Sequence, residues 1–153
     1  MKSDAAIEQF IEQMALSMEE DGLARIAGRM FALFLVHGGP FSFSELAERL
    51  HISRASVSTN ARLLRGLGII ERVGIRGSRQ DFYQLCDDPY GRLLDGYVAR
   101  MQQRLGIIDE LERNLSPSST GIRERVGRLR SFYDTATENT KTLTARWRRG
   151  QGS

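Results

Sequence analysis

The stretch from Ser42 to Leu85 constrains this chain more than any other. Ser42-Phe43-Ser44-Glu45 has the Ser-x-x-Glu form of a capping box, in which a hydroxyl and a carboxylate satisfy backbone amides at a helix start. Ser44 is a rival N-cap. A short helix is expected from there to about Leu50, burying Leu46, Ala47 and Leu50. His51-Ile52-Ser53 leaves room only for a tight connection, and Ser53 can cap the next helix. That helix should reach about Gly66, with Gly68 as a left-handed stop. Ile69 to Val73 then reads as a strand, Gly74 to Arg79 as a hairpin turn, and Asp81 to Leu85 as the return strand.

Longer helices are expected on both sides. Ile7, Phe10, Ile11, Met14 and Met18 make one apolar face over residues 4–20, interrupted by Gly22. Residues 23–37 carry Ile26, Ala27, Met30, Phe31, Phe34 and Leu35 around most of a helix, which should therefore be central and buried. Gly38-Gly39-Pro40 ends it, and Phe41-Ser42-Phe43 could form a very short strand. Asp88-Pro89 opens a helix to roughly Leu115, carrying Leu94, Tyr97, Met101, Leu105, Ile108 and Leu111. After the break at Ser116-Pro117-Ser118-Ser119, a last helix spaces Ile122, Val126, Leu129, Tyr133, Ala136, Thr140, Leu143 and Trp147 alternately by four and three. That is the heptad seam of helix-on-helix packing.

Charge is unevenly placed. Met1 to Asp21 holds one lysine and six acids, net −5, whereas Arg49 to Arg79 holds seven arginines and one acid, net +6. A localised basic block points to a polyanion such as nucleic acid, although a solvated charged face gives the same signal. The helix over 54–65 sharpens the choice. It is crowded with serine, threonine and asparagine, which compete with the helical backbone for hydrogen bonds. At about 100° per residue, Val57, Ala61 and Leu64 fall on one side. Ala55, Ser58, Thr59 and Arg62 fall on the other, with Arg54 and Ser56 near the N-terminal end. Small residues let a helix backbone approach a DNA groove. Hydroxyls, amides and guanidinium groups can then reach base edges or phosphates. Candidate DNA contacts on this helix are therefore Ser53, Arg54, Ala55, Ser56, Ser58, Thr59, Asn60, Arg62 and Arg65. On the hairpin, Arg76 and Arg79 flank Gly77 and Ser78 at a tip that can enter a minor groove. Arg72 is expected to meet phosphate, with Glu71 and Asp81 as competing partners.

The run Leu46-Ala47, Leu50, Ile52-Ser53, Val57-Ser58, Leu64 and Gly68-Ile69-Ile70-Glu71-Arg72 resembles the MarR-type winged helix-turn-helix transcriptional regulators. Ser53-Arg54-Ala55-Ser56-Val57-Ser58-Thr59-Asn60-Ala61-Arg62-Leu63-Leu64 is similar, more narrowly, to the GbsR-like branch. That branch has Gly-Asn where this chain has Ala55-Ser56, and often Trp where it has Leu67. The resemblance implies a mainly α fold with a small β-hairpin wing, flanked by N- and C-terminal dimerisation helices. Expected segments are residues 1–21 for N-terminal dimerisation, 22–87 for the winged domain, 88–149 for the C-terminal dimerisation helices, and 150–153 for a disordered tail. It also implies a homodimer on roughly palindromic double-stranded DNA, acting as a cytoplasmic repressor and open to a small-molecule effector.

Other chemistries find little support. His37 and His51 are the only histidines, no motif joins either to a serine and an acid, and no spacing matches a zinc site. No metal or cofactor is expected. Gly74-x-x-Gly77 lacks the strand-loop-helix setting of a phosphate loop. Cys86 is the only cysteine, which excludes an intrachain disulfide and suits a reducing compartment. The longest apolar run, Met30 to Val36, is too short to span a bilayer, and the acidic segment after Met1 argues against a secretory signal. Phe31, Phe34, Tyr90, Tyr97, Phe132 and Tyr133 suit plain core better than an aromatic cage for a cation. The alternative to DNA binding is a winged-helix module that binds protein. Such a module has no need of so many arginines on one side.

Overall fold

Glycines set the outer breaks of the first helices. The N–H of Gly22, at φ +90°, bonds Glu19 O at 2.9 Å and closes the first helix. Gly38, at φ +79°, bonds Phe34 O at 2.9 Å and closes the second. Both sit in the left-handed region that glycine reaches without a Cβ penalty. The computed structural model describes residues 2–152. Met1 and Ser153, the ends of the expected N-terminal helix and tail, lie outside that range. The elements are α1 (Lys2–Glu20), α2 (Arg25–His37), β1 (Phe41–Ser42), α3 (Phe43–Leu50), α4 (Arg54–Gly66), β2 (Ile70–Val73), β3 (Phe82–Leu85), α5 (Pro89–Asn114) and α6 (Thr120–Gln151). They form two compact units, Met1–Pro89 and Tyr90–Ser153.

In the first unit, α2 is the central helix. Ala27, Met30, Ala32, Leu33 and Phe34 are buried, while Ile26, Phe31 and Leu35 are only half-buried, so the enclosed arc is shifted from the expected one. The shift follows from α1, which packs on α2 through Ile11 and Ala15. A Cβ on Gly28 would stand 2.9 Å from the Ala15 Cα, so the two helices meet where both residues are minimal. α1, set apart by sequence as a dimerisation segment, thus also contributes to this core. Leu46 and Leu50 of α3, Val57, Ala61 and Leu64 of α4, and Ile69, Ile70 and Tyr83 complete it.

The sheet has the antiparallel order β1-β3-β2. Phe41 lies opposite Tyr83, and Arg72 lies opposite Tyr83 on the other side. The Phe41 ring leans on Phe34 at 5.5 Å, and Phe43 meets Tyr83 edge-on at 5.4 Å. Aromatic contacts therefore tie the base of the hairpin to α2 and to the start of α3.

In the second unit, α5 and α6 are joined through Ser116-Pro117-Ser118-Ser119, and Arg123 closes the end of α5 by donating to Leu115 O at 2.7 Å. The pair is held by polar and aromatic links. Arg130 pairs with Asp109 and, at 2.8 Å, with Glu112; Arg148 pairs with Asp95 at 2.7 Å. Tyr90 meets Trp147 at 5.5 Å, and the Arg104 guanidinium lies 5.6 Å from the Tyr133 ring centre. The expected α6 seam is enclosed only in part. Thr140 is buried and Val126, Tyr133, Ala136 and Trp147 are half-buried, whereas Ile122, Leu129 and Leu143 are exposed; Thr137 and Thr144, outside the seam, are the other buried positions. Heptad spacing identifies a face and leaves open what covers it. The expected tail is also shorter, since α6 continues through Gly150 to Gln151.

Two measurements test these contacts. Gly28→Val should destabilise the fold by about 1–3 kcal/mol in chemical unfolding, the cost of overpacking against a fixed backbone. Glu45, held below the usual carboxylate range first by the Ser42 backbone N–H, has a folded pKa lower than its unfolded one. Its contribution is fully present above the ordinary carboxylate pKa and is lost as pH falls through the lowered value. Glu45→Gln should therefore flatten the acid limb of the stability profile relative to the parent.

Candidate nucleic-acid interface

The interface is built from the α3–α4 turn outward. Both halves of the capping box form: Glu45 N–H donates to Ser42 Oγ at 3.2 Å, and Ser42 N–H donates to Glu45 Oε2 at 2.7 Å. Ser42 rather than Ser44 is thus the cap. α3 ends at His51, whose φ of +52° is left-handed, and the next amide, Ile52 N–H, turns back to Ala47 O at 3.0 Å. From α2, Arg29 donates through Nη1 to Leu50 O at 3.0 Å, and its Nε lies 2.6 Å from Glu12 Oε1 of α1. The bend is thereby fixed from behind.

Ser53 caps α4. Its hydroxyl accepts from Ser56 N–H at 3.1 Å and donates to Ser56 Oγ at 3.0 Å. The first amide bonded within the helix is Val57 N–H, to Ser53 O, which leaves the Arg54 and Ala55 amides at an open helix start. Val57, Ala61 and Leu64 are buried as their spacing predicts. Arg54, Ala55, Thr59, Arg62 and Arg65 are exposed, and Ser56 and Ser58 are half-buried. Asn60 is a correction. It is only 6 % exposed, and its amide donates to Ser56 O at 2.8 Å, so it braces the first turn of α4 from inside. A position about 60° from Val57 around the helix belongs to the buried edge. Leu63, absent from the expected contacts, is 38 % exposed.

The wing tip carries Arg76, Gly77, Ser78 and Arg79, all exposed. Ser78 N–H bonds Ile75 O at 3.0 Å, Ser78 Oγ accepts from Gln80 N–H at 3.1 Å, and Gly77 takes φ +87° with open space around it. Arg72 meets one of its two expected competing partners. Its Nε lies 3.1 Å from Asp81 Oδ1, while Glu71 accepts from Gln84 instead. Strand pairing brings the start of β3 beside the end of β2, so Asp81 reaches Arg72 across the hairpin. The pair is solvent-exposed and hence weak.

A simple division of arginines emerges within residues 1–89. Arg25 and Arg29 pair with Glu12, Arg72 pairs with Asp81, and Arg49 covers the Phe41 ring at 4.8 Å. Among the described residues, the side chains of Arg54, Arg62, Arg65, Arg76 and Arg79 have no ion pair or hydrogen bond. All five lie on α4 or the wing. An arrangement of this kind attracts an anionic ligand, and a helix with a flexible basic hairpin beside it fits a duplex. Among the described residues, no group of His, Cys, Asp and Glu could hold a metal, and no helix is long and apolar enough to cross a membrane.

Comparison with known proteins agrees with this geometry. Residues 21–81 match a family model described as MarR family. The chain is 31 % identical over 135 residues to the HTH-type transcriptional regulator MmpR5 of Mycobacterium tuberculosis, covering 88 % of this chain and 80 % of that one. It is 25 % identical over 122 residues to the HTH-type transcriptional repressor OpcR of Bacillus subtilis, covering 80 % and 66 %. A crystal structure described as a transcriptional regulator superposes with a TM-score of 0.86 at 27 % identity, over 94 % of this chain and 99 % of that one. The fold, the site and these matches together define a winged helix-turn-helix transcriptional regulator that binds DNA. The chain belongs to the MarR family.

The Arg72–Asp81 pair gives a test of the electrostatics. Asp81→Asn releases a cation and removes an acid at the edge of the wing. It should raise affinity for duplex DNA severalfold in a fluorescence-anisotropy titration and steepen the salt dependence. Unchanged affinity would place Arg72 outside the interface.

Proposed function

We propose that the chain is a homodimeric, sequence-specific repressor of transcription, with each α4 in a major groove and each wing against the flanking minor groove of a roughly palindromic operator. The observation that carries this reading is that, within residues 1–89, the five arginines with neither an ion pair, a hydrogen bond nor a ring contact all lie on α4 or the wing. Ser53, Arg54, Ala55, Ser56, Ser58, Thr59, Arg62 and Arg65 would serve the major groove, and Arg76, Gly77, Ser78 and Arg79 the wing contact. Arg72 would join once Asp81 releases it.

Dimerisation through the outer helices is supported by large apolar side chains left in solvent on α5 and α6. Ile107 is 62 % exposed and Phe132 59 %. Two-fold symmetry would set the recognition helices about one DNA turn apart. Repression is supported by the named repressor among the relatives. The Ser53–Leu64 motif supports the GbsR-like branch. A regulator of bacterial DNA works in the cytoplasm, and a chain with a single, buried cysteine, Cys86, suits that compartment. An effector would act by biasing two arrangements of the DNA-binding lobes, and a ligand that leaves operator affinity unchanged is not one.

Selection of bound sequences from random duplex DNA, followed by a salt titration, tests the reading. Each neutralised phosphate should contribute about −0.9 to the slope of log affinity against log salt. A flat response with no selected sequence would instead favour a protein-binding module. On the selected operator, Arg62→Ala should cost about 1–3 kcal/mol and blur the preference at one base pair. Arg79→Ala should weaken all sequences evenly and reduce the salt slope by about 1.

A further inference from the structure

We infer that Leu63 is a specificity-determining residue that reads the 5-methyl group of a thymine in the major groove, an inference that rests on the DNA-binding reading above. α4 carries three large aliphatic side chains, and two of them, Val57 and Leu64, are fully buried. Leu63 is the third, and although the protein covers most of it, 38 % remains exposed. Its place on the helix is informative. Leu63 follows Ser56 by seven residues, which sets the two within about 20° of each other around the axis. It follows Thr59 by four, about 40° away. Ser56, Thr59 and Leu63 therefore form one row along the helix, and Arg62 lies on the adjoining row with exposed Ala55.

The opposite edge is cationic. Arg54, Ser58 and Arg65 share a row about 80° from the core-facing direction, on the other side from Leu63. A helix with arginines on one edge and a leucine on the other presents two chemistries to a groove. Guanidinium groups find phosphate or guanine. Base edges in the major groove offer donors and acceptors, and the thymine methyl is the apolar group among them. Small neighbours at Ala55, Ser56 and Thr59 let Leu63 project without competition. The contact would be worth about one buried methyl group, or about a fourfold change in affinity.

The test uses the full chain and a duplex selected by it from random DNA. Each thymine is replaced in turn by deoxyuracil, which lacks the methyl group and keeps the pairing. Affinities are measured for the parent, Leu63→Ala and Leu63→Met. At one thymine per half-site, demethylation should weaken the parent about fourfold, leave Leu63→Ala unchanged, and weaken Leu63→Met as it does the parent. The inference is overturned if the parent selects a sequence and every replacement costs Leu63→Ala as much as it costs the parent. If no sequence is selected at all, the DNA-binding reading falls and takes this inference with it. Leu63 is exposed, so a matching unfolding midpoint for Leu63→Ala verifies that only the contact has changed.

Discussion

The buried edge of α4 decides what the rest of the interface can be. Val57, Ala61 and Leu64 are enclosed by α2, α3 and the base of the hairpin, and this fixes the rotation of the helix. Burial of a side chain such as Val57 or Leu64 stabilises by about 1.5–3 kcal/mol. The run Ser56 to Asn60 is a poor helix former, at about 0.5 kcal/mol per residue relative to alanine. The packing term is the larger of the two. A helix held by its partners can keep residues on its open side that would not sustain it alone.

Two caps and one clamp then set the position of that helix. Ser42 and Glu45 satisfy each other's amides at the start of α3, and the Ser53 hydroxyl accepts from the Ser56 amide at the start of α4. His51 bends the chain in a left-handed conformation although it is not glycine. The strain is tolerated because its own amide and that of Ile52 both find carbonyls in α3. Asn60 adds a bond from the second turn of α4 back to its first. Each of these groups is polar, and Ser42, Glu45 and Asn60 are turned to the protein's own backbone, whereas Ser53 caps α4 and stays exposed. The residues left over are those with short or cationic side chains.

The order of elements was legible because local chemistry wrote it: glycine stops, a Ser-x-x-Glu start and alternating apolar runs. The rotation of α4 was legible for the same reason, since Val57, Ala61 and Leu64 recur at helical spacing. Three features were not. Asn60 lies at the border of the buried and open sides, where spacing alone cannot choose. Whether Arg72 would meet Glu71 or Asp81 was open, and the hairpin register decides for Asp81. The α6 seam has a helix-packing period, but Thr140 is its one fully enclosed member, while Ile122, Leu129 and Leu143 are left outside. Periodicity records that a stripe exists and is silent about its occupant.

Arg29 has a consequence of its own. One guanidinium holds Glu12 of α1 at 2.6 Å and the terminal carbonyl of α3, at Leu50, at 3.0 Å. Any sliding of α1 along α2 must therefore either rupture that ion pair or drag the guanidinium with it. In the second case the bend ahead of α4 is pulled from the rear, so the acidic first helix and the basic recognition helix are joined through one side chain.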